Sequence, residues 1–183
     1  MVELYKKFGK VHHIDASQSI VKVYEETRKA VLPQVHFILG PPKSGKKSLG
    51  NGLAERTNMA NIYYDQFLRE HNLFGKDDET TVNALIKYLV NQPRTRVLIY
   101  DFPQTEAQAK YFMKNCVVPQ NVFFVKCSKD DCQERMLELS KDSPDYLPSA
   151  LLTKKIRIFN ENAVKLLPLL KSQTNFLELD TSS

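Results

Sequence analysis

Val35–Ser48 reads VHFILGPPKSGKKS and joins an apolar run to a loop with a distinctive glycine spacing. The run Val35–Leu39 is strand-like, and Gly40, four further residues, Gly45 and Lys46 give the spacing G-x-x-x-x-G-K. In such a strand–loop–helix unit, backbone N–H groups and the positive end of the helix converge on phosphate oxygens, and the lysine adds a charge. The stretch therefore predicts a phosphate-binding P-loop, with a chance match of the spacing as the alternative.

The residues around the lysine of this loop resemble those of one enzyme family. Adenylate kinases and related nucleoside monophosphate kinases have the pattern Gly-x-Pro-Gly-x-Gly-Lys-Gly-Thr, and Gly40–Ser48 resembles it position by position. The resemblance implies Mg²⁺ with ATP as the ligand, Lys46 as a catalytic charge and Ser48 as a metal contact. The nucleotide contacts that it implies within the loop are Gly40, Pro42, Lys43, Ser44, Gly45, Lys46, Lys47 and Ser48.

Two glycines of the family pattern are lysines in this chain, at Lys43 and Lys47. A side chain disfavours positive φ, so Lys43 must either adopt an awkward backbone angle or reshape the loop. We expect only modest nucleotide affinity for this reason.

The composition is that of an ordinary soluble domain, with 42% hydrophobic and 26% charged residues over 183 positions. The N-terminal segment MVELYKKFGK lacks the apolar core of a signal peptide, and no apolar run approaches about 18 residues. The three cysteines form no C-x-x-C pair and suit a reducing compartment. We therefore expect a cytoplasmic protein with no membrane partner.

The net charge of +5 and the pI near 9.0 suit a domain that attracts polyphosphate ligands, and they are also compatible with nucleic-acid binding. The lysines are scattered along the chain rather than clustered, and no aromatic array of the kind that stacks on bases accompanies them. The sequence therefore disfavours nucleic acid as the main partner.

Helical and strand-like segments alternate after the phosphate loop, which predicts a parallel sheet flanked by helices. The predicted strands are Val35–Leu39, Asn61–Tyr64, Arg96–Tyr100, Asn121–Lys126 and Phe176–Leu179. The predicted helices span 45–57, 80–91, 105–115 and 130–139, followed by a long helix from Leu152 that Pro168 kinks or ends. With the family resemblance, this order implies a three-layer α/β/α P-loop fold. We expect a five-stranded parallel sheet, a helical acceptor-binding insert at about 61–92 and a short lid at about 139–154.

The residues before the phosphate loop resemble the closing strand and helix of such a kinase. Val11–Ser17 parallels Phe176–Ser182 at an offset of about one domain length, and apolar residues in 20–31 keep helical spacing. We therefore expect 1–32 to be the tail of a preceding kinase-like unit or a linker, and 33–183 to be the kinase-like domain. Neighbouring kinase-like units would then be partners, and tandem chains of this kind hint at a cilium or flagellum. Coincidence between two common strand endings is the alternative.

The resemblance is degraded where a phosphate acceptor would bind. The family segment Thr-Gly-Asp-Leu-Leu-Arg is replaced by YDQFLR at 64–69, which implies acceptor contacts from Tyr64 and Arg69 and places the charge of Asp65 near the acceptor. The family segment Leu-Leu-Asp-Gly-Phe-Pro-Arg-Thr has a counterpart in which Gln104 replaces a second acceptor-binding arginine. An ordinary surface role in a salt bridge is the alternative for Arg69.

Asp101 ends an apolar strand and can hold the water shell of Mg²⁺. The family glycine after this aspartate is missing, so either one residue is deleted or Asp101 occupies the glycine position. Arg135 resembles the arginine that stacks on the adenine of ATP, and Leu139 stands where the family has an arginine on the transferring phosphate. Lys155 matches the last family arginine as a catalytic charge, with the solvated face of a helix as the alternative.

The favoured function is ATP binding by an adenylate kinase-like domain with weakened or lost phosphotransfer. A working nucleoside monophosphate kinase, which converts ATP and a nucleoside monophosphate into two diphosphates, stays open. An assembly or nucleic-acid-binding module that uses the fold only as a surface also stays open. Turnover separates the first two functions, and stabilisation by nucleotide separates both from the third.

Overall fold

The computed structural model describes residue 11 and residues 13–92 and 96–182. Its strands are β1 (Gln34–Leu39), β2 (Ala60–Tyr63), β3 (Arg96–Tyr100), β4 (Asn121–Lys126) and β5 (Asn175–Asp180). Its helices are α1 (Ile20–Val31), α2 (Lys46–Thr57), α3 (Tyr64–Glu70), α4 (Asp78–Val90), α5 (Glu106–Asn115), α6 (Lys129–Leu137) and α7 (Ser149–Gln173). The alternation of strands and helices confirms the predicted α/β class.

The five strands form one parallel sheet in the order β2-β3-β1-β4-β5. Parallel neighbours need crossover connections, and the helices between the strands provide them. After β1 the chain forms β2 and β3 on one side of it, and from β3 it crosses to the other side of β1 to form β4 and β5. Ligands bind at the carboxyl ends of strands around such a reversal. The loop after β1 is at this central position.

Successive residues of β1 face opposite sides of the sheet, as the two-residue period of a strand requires. Val35, Phe37 and Leu39 pack into the larger core with residues of α3, α4, α5 and α7, whereas Ile38 packs into a smaller core with Ala54 of α2. The sheet thus lies between two helical layers, as predicted.

Several element boundaries differ from the sequence-based prediction. Helix α7 continues through Pro168 to Gln173, so of the two outcomes expected at the proline, a kink or an end, the helix does not end there. Pro168 and Val164 are both exposed, so water can satisfy the carbonyl of Val164, whose helical hydrogen bond the proline removes. Tyr64 begins α3 instead of ending β2, and α6 ends at Leu137, so Leu139 lies in the following loop.

The segment before the phosphate loop contains the predicted helix, which is α1. Residues 11 and 13–15 of the predicted strand belong to no strand, whereas residue 12 of that strand and residues 1–10 before it lie outside the described residues. The assignment of 1–32 to a preceding unit or a linker stays a prediction. No helix among the described residues is long and apolar enough to cross a membrane.

Candidate functional site

The phosphate loop connects β1 to α2 at the carboxyl edge of the sheet. Gly45 has a φ of 86° and caps α2 without a side-chain hydrogen bond, so no side chain competes for the first N–H groups of the helix. Lys43 has a φ of 67°, in the left-handed region that favours glycine. The awkward backbone angle expected for a lysine at this position is therefore present.

Contacts from two other parts of the domain fix the shape of the loop. A Cβ added at Gly40 would lie 2.5 Å from the carbonyl oxygen of Val125 and 2.6 Å from Oγ of Ser44. Ser44 is fully buried, and its carbonyl accepts a hydrogen bond of 2.9 Å from the hydroxyl of Thr181. Only glycine fits at the start of this loop, and the segment after β5 holds its middle.

Lys46 folds over the loop from the first turn of α2. Its side chain is only 11% exposed, and Nζ donates a 2.9 Å hydrogen bond to the carbonyl of Pro41. The same nitrogen lies 3.3 Å from Oδ1 of Asp101. This position is compatible with the predicted role of Lys46 as the charge that faces phosphate.

Asp101 has a φ of 57°, which is the conformation that favours glycine. Of the two alignments that the sequence left open, this angle favours the one in which Asp101 occupies the glycine position, so that Tyr100 replaces the family aspartate. The Asp101 side chain is 42% exposed and is paired with Lys46. Burial raises the pKa of Asp101, and the charge of Lys46 opposes that rise.

A first cavity of about 370 Å³ lies over the loop. Tyr63 and Tyr100, whose ring centroids are 4.4 Å apart, form part of its wall. Four cationic residues line it together with two anionic ones, and this excess of positive charge suits a polyphosphate. The charged residues are Lys43, Lys46, Lys47, Arg135, Asp101 and Asp145.

Arg135 connects the phosphate loop to the end of the sheet. Its Nη1 donates to the carbonyl of Lys43 at 3.3 Å and lies 3.4 Å from Sγ of Cys127. Its Nη2 donates to the carbonyl of Thr181. The guanidinium group is therefore held at the wall of the first cavity, and its predicted stacking on adenine stays a prediction. No sequence motif identified Thr181 as its partner.

The short lid between α6 and α7 contacts the phosphate loop through an ion pair. Nζ of Lys47 lies 3.2 Å from both carboxylate oxygens of Asp145, and 5.8 Å from the ring centroid of Tyr63. Leu147 anchors the lid by packing against the cluster that contains Met136. Sequence reasoning missed Asp145 and Tyr63, because neither stands in a motif and their contacts to Lys47 depend on the folded chain.

A second cavity of about 420 Å³ shares Lys46 and Asp101 with the first. Three of its polar residues form one group. Nε2 of Gln104 donates to Oδ1 of Asp65 at 3.1 Å, and Nζ of Lys155 lies 3.9 Å from Oδ2 of Asp65. The Asp65 carboxylate is thus paired with Gln104 and Lys155, two side chains that were predicted to contact phosphate groups. The larger apolar side chains of the lining are Leu39, Phe74, Leu147, Ile158, Phe159 and Leu166.

The other two predicted acceptor contacts lie outside both cavities. Tyr64 is 1% exposed and packs on Phe102 with ring centroids 4.9 Å apart, and burial raises the pKa of Tyr64 to about 12. The Tyr64 ring therefore lies in the core and not at a phosphate site. Burial of its large apolar surface stabilises the fold. Arg69 is exposed in the last turn of α3, and its guanidinium group makes no ion pair among the residues that the structure describes.

Ser48 and Asp101, the predicted metal contacts, both line the first cavity. A hydroxyl and a carboxylate are the types of oxygen donor that Mg²⁺ prefers. However, Asp101 is paired with Lys46, and the charges of Lys43 and Lys47 line the same cavity. Within residues 13–92 and 96–182, no group of three or more histidine, cysteine or acidic side chains is placed to hold a metal. The donors present do not fit a resident Mg²⁺ ion.

Comparisons with known proteins agree with this architecture. No protein-family model matches the chain. The chain is 26% identical over 166 residues to adenylate kinase isoenzyme 5 of Bos taurus and of Homo sapiens, and 25% identical to that of Mus musculus. Each match covers 79% of this chain and 29% of the relative, so the chain spans less than a third of the length of these relatives.

The similarity extends over most of the chain, and the fold adds independent support. The parallel sheet, the glycine-capped loop at its central strand and the helical layers on both faces are the parts that the resemblance implied. This weak sequence similarity and the fold together support an adenylate kinase-like family for the chain.

Proposed function

We propose that this nucleotide kinase-like domain binds ATP at its phosphate loop but transfers phosphate weakly or not at all. The observation that carries the proposal is the difference between the two cavities that meet at Lys46. The first has an excess of cationic side chains over a glycine-capped helix start, whereas the second has a carboxylate among the groups expected to face an acceptor phosphate.

The arrangement of the loop supports the binding half of the proposal. Its bends at Lys43 and Gly45 are already formed, and Thr181 and Arg135 hold it by hydrogen bonds to its carbonyl groups. A preformed loop saves the entropy that a ligand would otherwise spend in ordering it. Binding of an anion then requires that Lys46 turns from Pro41 and Asp101 toward the anion, and that the anion replaces Asp145 at Lys47.

The charges of the second cavity support the other part of the proposal, namely weak or lost phosphate transfer. An acceptor phosphate there would meet the carboxylate of Asp65, and it would have to compete with that carboxylate for Lys155 and Gln104. Gln104 also lacks the charge and the planar fork with which an arginine binds phosphate. A nucleoside monophosphate is therefore expected to bind poorly, which favours this function over a working nucleoside monophosphate kinase.

Other parts of the proposal follow from the family alone. Adenylate kinases use ATP with Mg²⁺, and by this resemblance ATP would be the first ligand, with a nucleoside monophosphate as the second if transfer survives. Neighbouring kinase-like units as partners and a location in the cytoplasm, a cilium or a flagellum stay predictions.

Nucleotide is expected to stabilise the domain, and Lys46→Met is expected to remove most of that effect. A ligand at about 100 times its Kd stabilises a protein by about 2.7 kcal/mol, which corresponds to a rise of roughly 5–10 °C in Tm for a domain of this size. Thermal melts with millimolar ATP or ADP measure this shift. Lys110→Met is the matched control, because Lys110 pairs with Glu106 on α5 and lines neither cavity.

An unchanged Tm in the wild-type domain would contradict the proposal and leave the third function, an assembly or nucleic-acid-binding surface. An equal shift in wild type and in Lys46→Met would place the nucleotide away from the phosphate loop. The proposal requires that the shift occurs and that it depends on Lys46 but not on Lys110.

A further inference from the structure

The phosphate loop carries more positive charge than its lysine at the start of α2 provides. Lys43 and Lys47 line the first cavity beside Lys46, and Arg135 is fixed at its wall by hydrogen bonds. Lys43 keeps its position although its φ of 67° is strained for any residue with a side chain. Because Lys43 is positively charged and lines the cavity despite this backbone strain, it is a candidate for binding an anion there.

The carboxylates of the same cavity are already paired. Asp101 lies 3.3 Å from the nitrogen of Lys46, and Asp145 lies 3.2 Å from that of Lys47. A divalent cation there would have to compete with these ammonium groups for oxygen ligands, and it would be repelled by them. The cavity therefore disfavours a metal ion and favours a bare anion.

The ammonium group of Lys47 shows which type of ligand it accepts. In this structure the carboxylate of Asp145 reaches it from the lid and bonds through both oxygens. A phosphate group offers the same kind of oxygen with more charge. An incoming polyphosphate can thus replace Asp145 at Lys47 without any new cation.

We infer that this loop binds the triphosphate of a nucleotide without a metal ion, because Lys43 and Lys47 supply the positive charge that Mg²⁺ would otherwise bring. This inference rests on the proposed function, since it names the form in which the nucleotide binds. A metal-free triphosphate carries more negative charge than its magnesium complex, so it is the better match to a cavity with an excess of cations.

Titration of the wild-type domain with ATP, by calorimetry, once in EDTA and once in excess Mg²⁺ at equal ionic strength, tests the inference. We expect a Kd in EDTA that is lower than in Mg²⁺ or within about threefold of it. A Kd in EDTA more than about threefold higher than the Kd in Mg²⁺ would overturn the inference but would leave ATP binding itself intact. Absence of binding under both conditions would instead refute the proposed function.

The double variant Lys43→Gly/Lys47→Gly tests the role assigned to the two lysines. It restores glycine at a strained position, so the fold should tolerate it. We expect its Kd in EDTA to rise about tenfold or more, and its Kd in Mg²⁺ to rise less, because the metal then replaces the lost charge. An equal loss in both solutions would mean that the lysines do not take the place of a metal.

The matched control is Lys76→Gly/Lys141→Gly, which removes the same net charge from exposed loop positions outside both cavities. Its Kd should change little in either solution, apart from a small effect of net charge. If the first double variant does not fold, Lys47→Gln alone gives a milder test. Lys47 is 58% exposed, so its replacement leaves the core intact. Its loss of affinity must again be larger in EDTA than in Mg²⁺.

Discussion

Turnover of Mg²⁺-ATP with any nucleoside monophosphate is expected to lie several orders of magnitude below about 10 per second, a typical value for enzymes. Phosphoryl transfer depends on preorganised positive groups around the moving phosphoryl and the acceptor phosphate, and a single arginine that contacts the transition state is worth about 10³ to 10⁵ in rate. Gln104 and Leu139 stand where the resemblance implies two such arginines, and Lys155 is paired with Asp65. A coupled assay with each monophosphate measures the rate.

Replacing the missing charges should restore part of this activity, but only if Asp65 is also changed. Gln104 already donates to Asp65, so an arginine at 104 would pair with that carboxylate and not with a phosphate. We therefore expect Gln104→Arg/Leu139→Arg to raise turnover modestly, and the same pair with Asp65→Asn to raise it further. The asparagine keeps the size of the side chain while removing its charge.

The control for this series is Lys46→Met in the triple variant, which should return turnover to background because the loop lysine is required for any transfer at this site. A wild-type turnover on the order of 10 per second would contradict the proposal of weakened transfer. A triple variant no faster than the double would show that Asp65 does not limit the second cavity.

The sheet could be predicted because its strands carry local signals. The strands Arg96–Tyr100 and Asn121–Lys126 are short apolar runs, and both were predicted with their observed bounds. The backbone strain at Lys43 was also predictable, since a glycine position in a known loop shape constrains any residue that replaces the glycine.

The parts that could not be predicted are contacts between residues far apart in the chain. The pair Lys47–Asp145 joins the loop to the lid, and Arg135 of α6 joins the loop to the segment after β5 through Lys43 and Thr181. The placement of Tyr64 in the core had a similar cause, because a family alignment assigns a position but not the direction in which a larger side chain points. Such contacts depend on three-dimensional packing, which local periodicity does not encode.

Gly50 in α2 makes another contact that could not be predicted from the sequence. From the sequence, Gly50 and Gly52 both weaken a helix, because glycine loses more backbone entropy than alanine. The structure separates them. A Cβ at Gly50 would lie 2.4 Å from Oη of Tyr100 and 2.7 Å from two carbons of its ring, whereas a Cβ at Gly52 would meet nothing within 4 Å.

Gly50→Ala is therefore expected to destabilise the domain, whereas Gly52→Ala is expected to stabilise it. The ring of Tyr100 cannot easily move aside, because its hydroxyl lies within hydrogen-bond distance of Oδ1 of both Asn51 and Asn61 and its ring centroid lies 4.4 Å from that of Tyr63. Overpacking of this kind costs about 1–3 kcal/mol, whereas an alanine in open space on a helix gains about 0.5–1 kcal/mol. Urea unfolding of both variants measures the difference.

A double-mutant cycle assigns the cost of Gly50→Ala to the contact with Tyr100. In a Tyr100→Leu background the ring atoms that oppose the new Cβ are gone, so Gly50→Ala should cost much less than it does in the wild type. The lost hydrogen bonds and packing of Tyr100 lower the stability of both members of that background equally, and they cancel in the comparison. If Gly50→Ala and Gly52→Ala stabilise the wild type equally, the Tyr100 ring must move aside for the new Cβ. The close approach of α2 to β3 would then not require glycine.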